Sequence, residues 1–109
     1  MAGRTDDSFP VEKDGTLLVL VTWGDLDHTP ANNVYIEAHG FVQKYRSQKS
    51  FVLKMSRAGR YEAQIPPGVY DVFVSEGSSL PVCKRLVIKA GSTTDWSENL
   101  EIDHEHMEN

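Results

Sequence analysis

The sequence predicts an all-β chain folded as a two-sheet antiparallel sandwich of about seven strands, and three observations point there. Short runs rich in Val, Ile, Leu, Tyr and Phe recur along the chain, several with period-two alternation. Gly, Pro, Asp and Asn punctuate the gaps between them. No stretch keeps the 3.6-residue apolar period of a helix, and many short strands with regular turn signals suit a sandwich.

The 109 residues amount to one domain, long enough to bury a core without staples. A net charge of −5 argues against a general binder of nucleic acid or anionic membrane, since both partners are negative. The single cysteine, Cys83, excludes an internal disulfide, a CxxC redox pair and a multi-cysteine zinc site. Its neighbours Leu80, Pro81 and Val82 predict a small buried hydrophobe rather than a reactive thiol. The first apolar run, Leu17 to Val21, is too short to cross a membrane, and the polar, acidic start lacks a signal peptide's pattern. Localisation stays open between the cytoplasm and a fragment of an exported protein.

Taken in order, residues 1–15 form an arm that Phe9 and Val11 could partly order, residues 16–102 the sandwich, and residues 103–109 an acidic tail. Thr16 to Trp23 is apolar on both alternating faces, which predicts a central strand covered on both sides. A loop from Gly24 to Asn33 leads into Val34 to His39, with Val34, Ile36 and Ala38 on one face, Tyr35, Glu37 and His39 on the other, and Gly40 as the break. Phe41 to Arg46 reads as strand or extended loop, Ser47 to Ser50 as a connection, and Phe51 to Met55 as a strand with Phe51, Leu53 and Met55 inward. Strands follow at Arg60 to Ile65, Val69 to Ser75, Leu80 to Ala90 and Thr93 to Ile102. In the Leu80 strand, Lys84 shares an inward set with Val82, Leu86 and Ile88, which places it near an edge or a strand end. In the last strand Trp96, Leu100 and Ile102 share one side.

The organising stretch is Gly59-Arg60-Tyr61, then Ile65-Pro66-Pro67-Gly68, then Tyr70-Asp71-Val72-Phe73-Val74. Gly59 marks one turn; Pro66, Pro67 and Gly68 mark another, with Gly68 expected to supply a positive φ. This pattern resembles the carboxypeptidase regulatory-like domains of the prealbumin (transthyretin-like) family, in which an aromatic strand runs into Leu-Pro-Pro-Gly-x-Tyr-x-Val-x-Val. Leu17 to Val21, Pro30 before Val34-Tyr35-Ile36, and the run Leu86 to Thr94 agree with it in outline, over roughly Thr16 to Ile102. Arg57-Ala58 stands where the family usually has an acidic residue before the glycine, and Asp25, Asp27 and His28 occupy its first loop. The resemblance implies a seven-stranded, Greek-key, prealbumin-like sandwich, with Tyr70 anchoring the corner through its hydroxyl. It also implies a structural or interaction module.

Chemistry-bearing groups are few. The Asp25-Leu26-Asp27-His28 loop and His104-Glu105-His106 could each contribute metal ligands, but neither has a dedicated site's ligand count, so no metal and no cofactor are expected. The fold-related 5-hydroxyisourate hydrolases carry a first-strand histidine and a Tyr-Arg-Gly-Ser ending, and this chain has neither. Asn99 and Glu76 could serve a Lys–Asn isopeptide bond, yet the first strand offers no lysine. No catalytic residues are expected, and the chain is read as no enzyme.

Charge is the stronger signal. Lys44, Arg46, Lys49, Lys54, Arg57 and Arg60 fall between Ala38 and Tyr61 with no acidic residue among them. From Asp95 onward there are only acids: Asp95, Glu98, Glu101, Asp103, Glu105 and Glu108. Either the two segments pair within the fold, or they form a charged surface for a protein partner or a second copy. The second reading takes Lys44, Tyr45, Arg46, Lys49, Arg57, Arg60, Asp95, Glu98 and Glu101 as interaction residues. A carbohydrate or peptide bound through Trp23, Tyr35, Tyr45 and Trp96 is the alternative.

Overall fold

A computed structural model describes residues 13–24, 27–77 and 79–101. Phe9, Val11, Asp25, Ile102 and the His104 to Glu108 tail lie outside the described residues. Eight strands form: β1 (Gly15–Trp23), β2 (Tyr35–Val42), β3 (Ser47–Val52), β4 (Lys54–Arg57), β5 (Arg60–Ile65), β6 (Gly68–Ser75), β7 (Val82–Ile88) and β8 (Thr93–Leu100). They make two four-stranded sheets, ordered β4-β5-β1-β8 and β3-β2-β6-β7. No described residue is helical.

The two sheets close over a core that strand parity sets. Leu17, Val19 and Val21 of β1 point inward with no exposure and meet Ile36, Ala38 and Val42 of β2 and Val72 and Val74 of β6. Each aliphatic side chain buried this way contributes about 1.5–3 kcal/mol. The opposite row of β1 is less covered than the sequence predicts. Leu18 is half-buried and Leu20 is 37% exposed, so this central strand is sealed on one face only.

One pairing departs from the expected antiparallel order: β8 runs parallel to β1, from Thr16 beside Thr93 to Trp23 beside Leu100. The 89–92 turn explains it. The chain leaves β7 near the start of β1, where Thr16 N donates to Ser92 O at 2.8 Å and Gly91 N to Asp14 O at 3.1 Å. It therefore enters β8 alongside the beginning of β1 and follows it.

The region left ambiguous by the sequence resolves into a hairpin and a crossover. Strand β2 continues through Gly40 to Val42 instead of breaking there. Gly40 pairs with Tyr70, and a Cβ at that position would overlap Val69 O, so the glycine admits a close approach within the sheet. Residues 43–46 turn, and Ser47–Ser50 belong to β3 rather than to a connection. The expected Phe51–Met55 strand is divided: Leu53, 4% exposed, carries the chain from one sheet to the other, and Met55 on β4 is exposed. This division raises the strand number to eight.

Two tyrosines fix the corners. Tyr70 is fully buried and its hydroxyl donates to Pro66 O at 2.6 Å, bracing the turn between β5 and β6 as expected. The Phe51 ring meets Tyr70 edge-on at 6.1 Å. Tyr61 does the same at the other end: its hydroxyl donates to Ala31 O at 2.8 Å and accepts from Val34 N at 3.2 Å, latching the loop before β2. Gly59 has φ 71°, and its amide donates to Asn32 Oδ1 at 3.0 Å. Gly68 has the positive φ the sequence predicts. Its φ of 159° sits at the extended border, because it already begins β6 rather than completing a turn.

Candidate interaction surface

Strand order decides where the charged segments lie. Strands β3 and β4 are the edges of their sheets on one side, joined through Leu53; β7 and β8 are the edges on the other. The basic segment runs down the first side. Lys44, Tyr45 and Arg46 form the β2–β3 turn, Lys49 follows on β3, Lys54 and Arg57 are on β4, and Arg60 opens β5. Lys44 and Lys49 place their ammonium groups 5.5 and 5.3 Å from the centroid of the exposed Tyr45 ring. That cluster sits at one end of the sandwich, and Arg57 and Arg60 sit at the other, beside the Ala58–Gly59 turn. The segment is therefore a stripe along an edge rather than a compact patch.

One acid lies within the stripe. Glu62 accepts from Arg60 Nε at 3.3 Å and pairs across the strands with Lys54. A hydrogen bond with Ser56 first, and the neighbouring Arg60 and Arg57, hold its carboxyl below the ordinary range.

The acidic residues lie on the far side. Asp95 and Glu98 are on β8 and Glu101 follows it, separated from β4 by β5 and β1. Strand order thus keeps Lys49, Lys54 and Arg57 apart from Asp95, Glu98 and Glu101, and Arg60 pairs with Glu62 instead. The described residues form the ion pairs Arg60–Glu62 and Arg85–Asp71. Glu98 accepts from Trp96 Nε1 at 3.1 Å, and Lys84 stands 5.7 Å from the centroid of the Trp96 ring, exposed on the β7 edge as expected. An open crevice of about 270 Å³ is lined by Leu80, Pro81, Val82, Glu98, Asn99 and Glu101.

Other sequence candidates disperse. Trp96 is 5% exposed and Trp23 half-buried, while Tyr35 and Tyr45 lie at opposite ends of the β2–β3 hairpin, so the four rings form no common platform. Asn99 meets the Thr22 hydroxyl, at the end of β1 remote from Lys13. Asp27 and His28 are exposed, and among the described residues no three His, Cys, Asp or Glu side chains cluster for a metal ion. Cys83 is exposed, against expectation, because it points out from β7 in the same row as Arg85 and Val87.

Sequence reasoning missed a polar row across the outer face of the β3-β2-β6-β7 sheet. Ser50, His39, Asp71 and Arg85 stand side by side on four successive strands. Ser50 Oγ and His39 Nδ1 are hydrogen-bonded at 2.7 Å; Arg85 Nε donates to Asp71 Oδ1 at 2.9 Å and Nη2 to Oδ2 at 3.4 Å. The Arg85 hydrogen bond holds the Asp71 carboxyl below its usual range. Though Ser, His and Asp share a row, the carboxylate is committed to Arg85 and the imidazole is exposed on a sheet face. A nucleophile would need the acid aligned on the base in a site sheltered from water. The outward set Tyr35, Glu37 and His39 was readable in sequence; its neighbours on β3, β6 and β7 depend on registers that no local pattern encodes.

Comparison with known proteins locates the fold and nothing finer. No protein-family model matches the chain, and no curated protein matches it. Among solved structures, it is similar to the crystal structure of a DUF3823 family protein from Parabacteroides merdae ATCC 43184, with a TM-score of 0.55 and 13% sequence identity. The match covers 84% of this chain and 46% of that one, so the chain spans less than half the length of that structure. A likeness at this identity supports a β-sandwich.

Proposed function

We propose that this chain is a non-catalytic interaction module that docks protein partners through its two oppositely charged lateral edges. The observation that carries the reading is the placement of Lys49, Lys54 and Arg57 along β3 and β4, with Asp95, Glu98 and Glu101 on the far side. Edge strands carry unpaired backbone donors and acceptors, so each side offers both hydrogen bonds and one sign of charge. The crevice between Leu80 and Glu101 combines apolar Leu80, Pro81 and Val82 with the carboxylates of Glu98 and Glu101, which suits a lysine or arginine side chain of a partner. A second copy is one partner with the required complementarity, presenting its β4 edge to the β8 edge of the first.

The carboxypeptidase regulatory-like, prealbumin-like assignment belongs to the same proposal. The Pro66-Pro67-Gly68 corner closed by the Tyr70 hydroxyl and the two-sheet arrangement support it. Salt tests the docking: the part of the association that Lys54→Glu with Arg57→Glu abolishes, measured by sedimentation, should weaken steeply between about 0.05 and 0.5 M salt, as screening shortens the range of exposed charges. An edge-mediated component indifferent to salt would remove the electrostatic basis of the proposal.

A further inference from the structure

The outer face of the β3-β2-β6-β7 sheet carries an unexplained concentration of apolar surface. Of the ten large hydrophobic side chains that stand exposed among the described residues, six lie on it: Tyr35, Phe41, Val52, Val69, Phe73 and Val87. They are between 46% and 51% exposed. Scattered exposed hydrophobes are ordinary on a protein surface, but six on one sheet face, in two groups flanking a polar row, mark a candidate contact surface. The registers arrange them in rows. Phe41, Val69 and Val87 sit side by side at one end, and Val52, Phe73 and Cys83 share a row with Glu37 toward the other. The polar row of Ser50, His39, Asp71 and Arg85 runs between them.

We propose that this face is a twofold interface with a second copy of the chain, packed sheet on sheet with the axis parallel to the strands between β2 and β6. Face-to-face twofold packing requires an axis in the plane of contact. An axis along the polar row would set Asp71 on the second copy's Asp71 and Arg85 on its Arg85, which like charges oppose. The axis along the strands instead brings Asp71 to the second copy's His39, Arg85 to its Ser50, and Phe41 to its Val69. The Phe41 row then meets its own counterpart and the Asp71 row meets opposite or neutral groups, while Glu37 faces the second copy's Phe73 with its carboxylate held by the Tyr35 hydroxyl, a contact that weakens the dimer. The bond from Arg85 to Asp71 already partners both charges before they are covered, which lowers the penalty of burying them.

The size of the face sets the strength. Four strands about 4.8 Å apart and about 27 Å long offer roughly 500 Å² per copy, near 1,000 Å² in total. That lies at the low end for a specific interface and describes a weak, reversible dimer. Sheets packed this way stay within about 30° of alignment and about 10 Å apart.

Sedimentation velocity from about 10 μM to 1 mM protein, at about 0.05 and 0.5 M salt, tests the proposal. The parent should dimerise at both salts, because apolar burial is not screened. Val69→Lys and Phe73→Lys, each at an outward position, should weaken the dimer tenfold or more while melting like the parent; Leu20→Lys, on the other sheet's outer face, should leave it intact. Alkylation of Cys83 by iodoacetamide should slow as the dimer fills. A parent that stays monomeric at 1 mM overturns the proposal, as does a dimer unchanged by both lysine variants, or a Cys83 rate independent of dimer fraction. A dimer that vanishes at 0.5 M salt also overturns it, and is the behaviour expected of the charged edges instead.

Discussion

Replacing Gly59 with alanine should be among the most damaging single-methyl additions to this chain, and the structure provides its own controls. Two costs combine at Gly59. Its φ of 71° lies in the left-handed region, where a Cβ costs about 1–2 kcal/mol. The new Cβ would also stand 2.8 Å from the backbone Val21 O and 2.9 Å from the Pro30 Cβ, whose ring is tied to its own backbone, so neither can swing aside. Overpacking of this kind costs about 1–3 kcal/mol. The sum is about 2–5 kcal/mol, or a fall in Tm on the order of 10 °C or more for a domain of this size. Gly91 has φ 68° but no atom within 4 Å of its would-be Cβ, so Gly91→Ala should lose only the conformational part. Gly68 also has a positive φ, 159°, and its Cβ would make an ordinary 3.5 Å contact with Phe41 O, so Gly68→Ala should likewise lose only the conformational part. Thermal and urea unfolding of the three variants should place Gly59 well ahead of Gly91 and Gly68. A Gly59→Ala protein that melts with the parent, or a Gly91→Ala protein equally damaged, would refute the reasoning.

Further outcomes follow from the buried and charged hydrogen bonds. Tyr70→Phe strands the Pro66 carbonyl in the corner and should cost about 1–3 kcal/mol in urea unfolding. Burial, chiefly, pushes the Tyr70 phenol up to about 12, above its unfolded value of 10.0. Its contribution is therefore intact below pH 10 and is lost as pH rises through about 12; phenolate absorbance should show one tyrosine ionising only with unfolding. Asp71 has the opposite sign. Its folded carboxyl is held low by Arg85, so that stabilisation is present above the ordinary carboxylate range and disappears as pH falls through the folded value. Arg85→Gln should flatten the acid limb of the stability–pH curve, and an unchanged limb would show that the pair contributes nothing.

How much of this was legible in the sequence depended on whether the information was local. The inward row of β1, the alternation of Tyr35 to His39 and the Pro-Pro-Gly corner follow from neighbours a few residues apart, and each appears as read. Leu53 did not declare itself, because a residue that crosses between sheets has the same apolar character as one inside a strand. Cys83 misled for a related reason: its apolar surroundings predict burial, but parity on an edge strand turns it outward. The separation of Lys54 from Asp95 and the assembly of Ser50, His39, Asp71 and Arg85 depend on strand order and register. Those are properties of the whole sandwich, set by which rows bury together, and they carry the candidate surfaces.

The charged edges are tested most directly by a complementary pair of variants. Lys54→Glu with Arg57→Glu makes the β4 edge acidic; Asp95→Lys with Glu101→Lys makes the β8 edge basic. Each protein alone then presents like charges on both sides and should lose its low-salt, edge-mediated association. Mixed, every edge of one meets an opposite edge of the other, so association should return in sedimentation at about 0.05 M salt and fade at about 0.5 M. A mixture that associates no more than its separate components, or single variants that associate like the parent, would contradict the account.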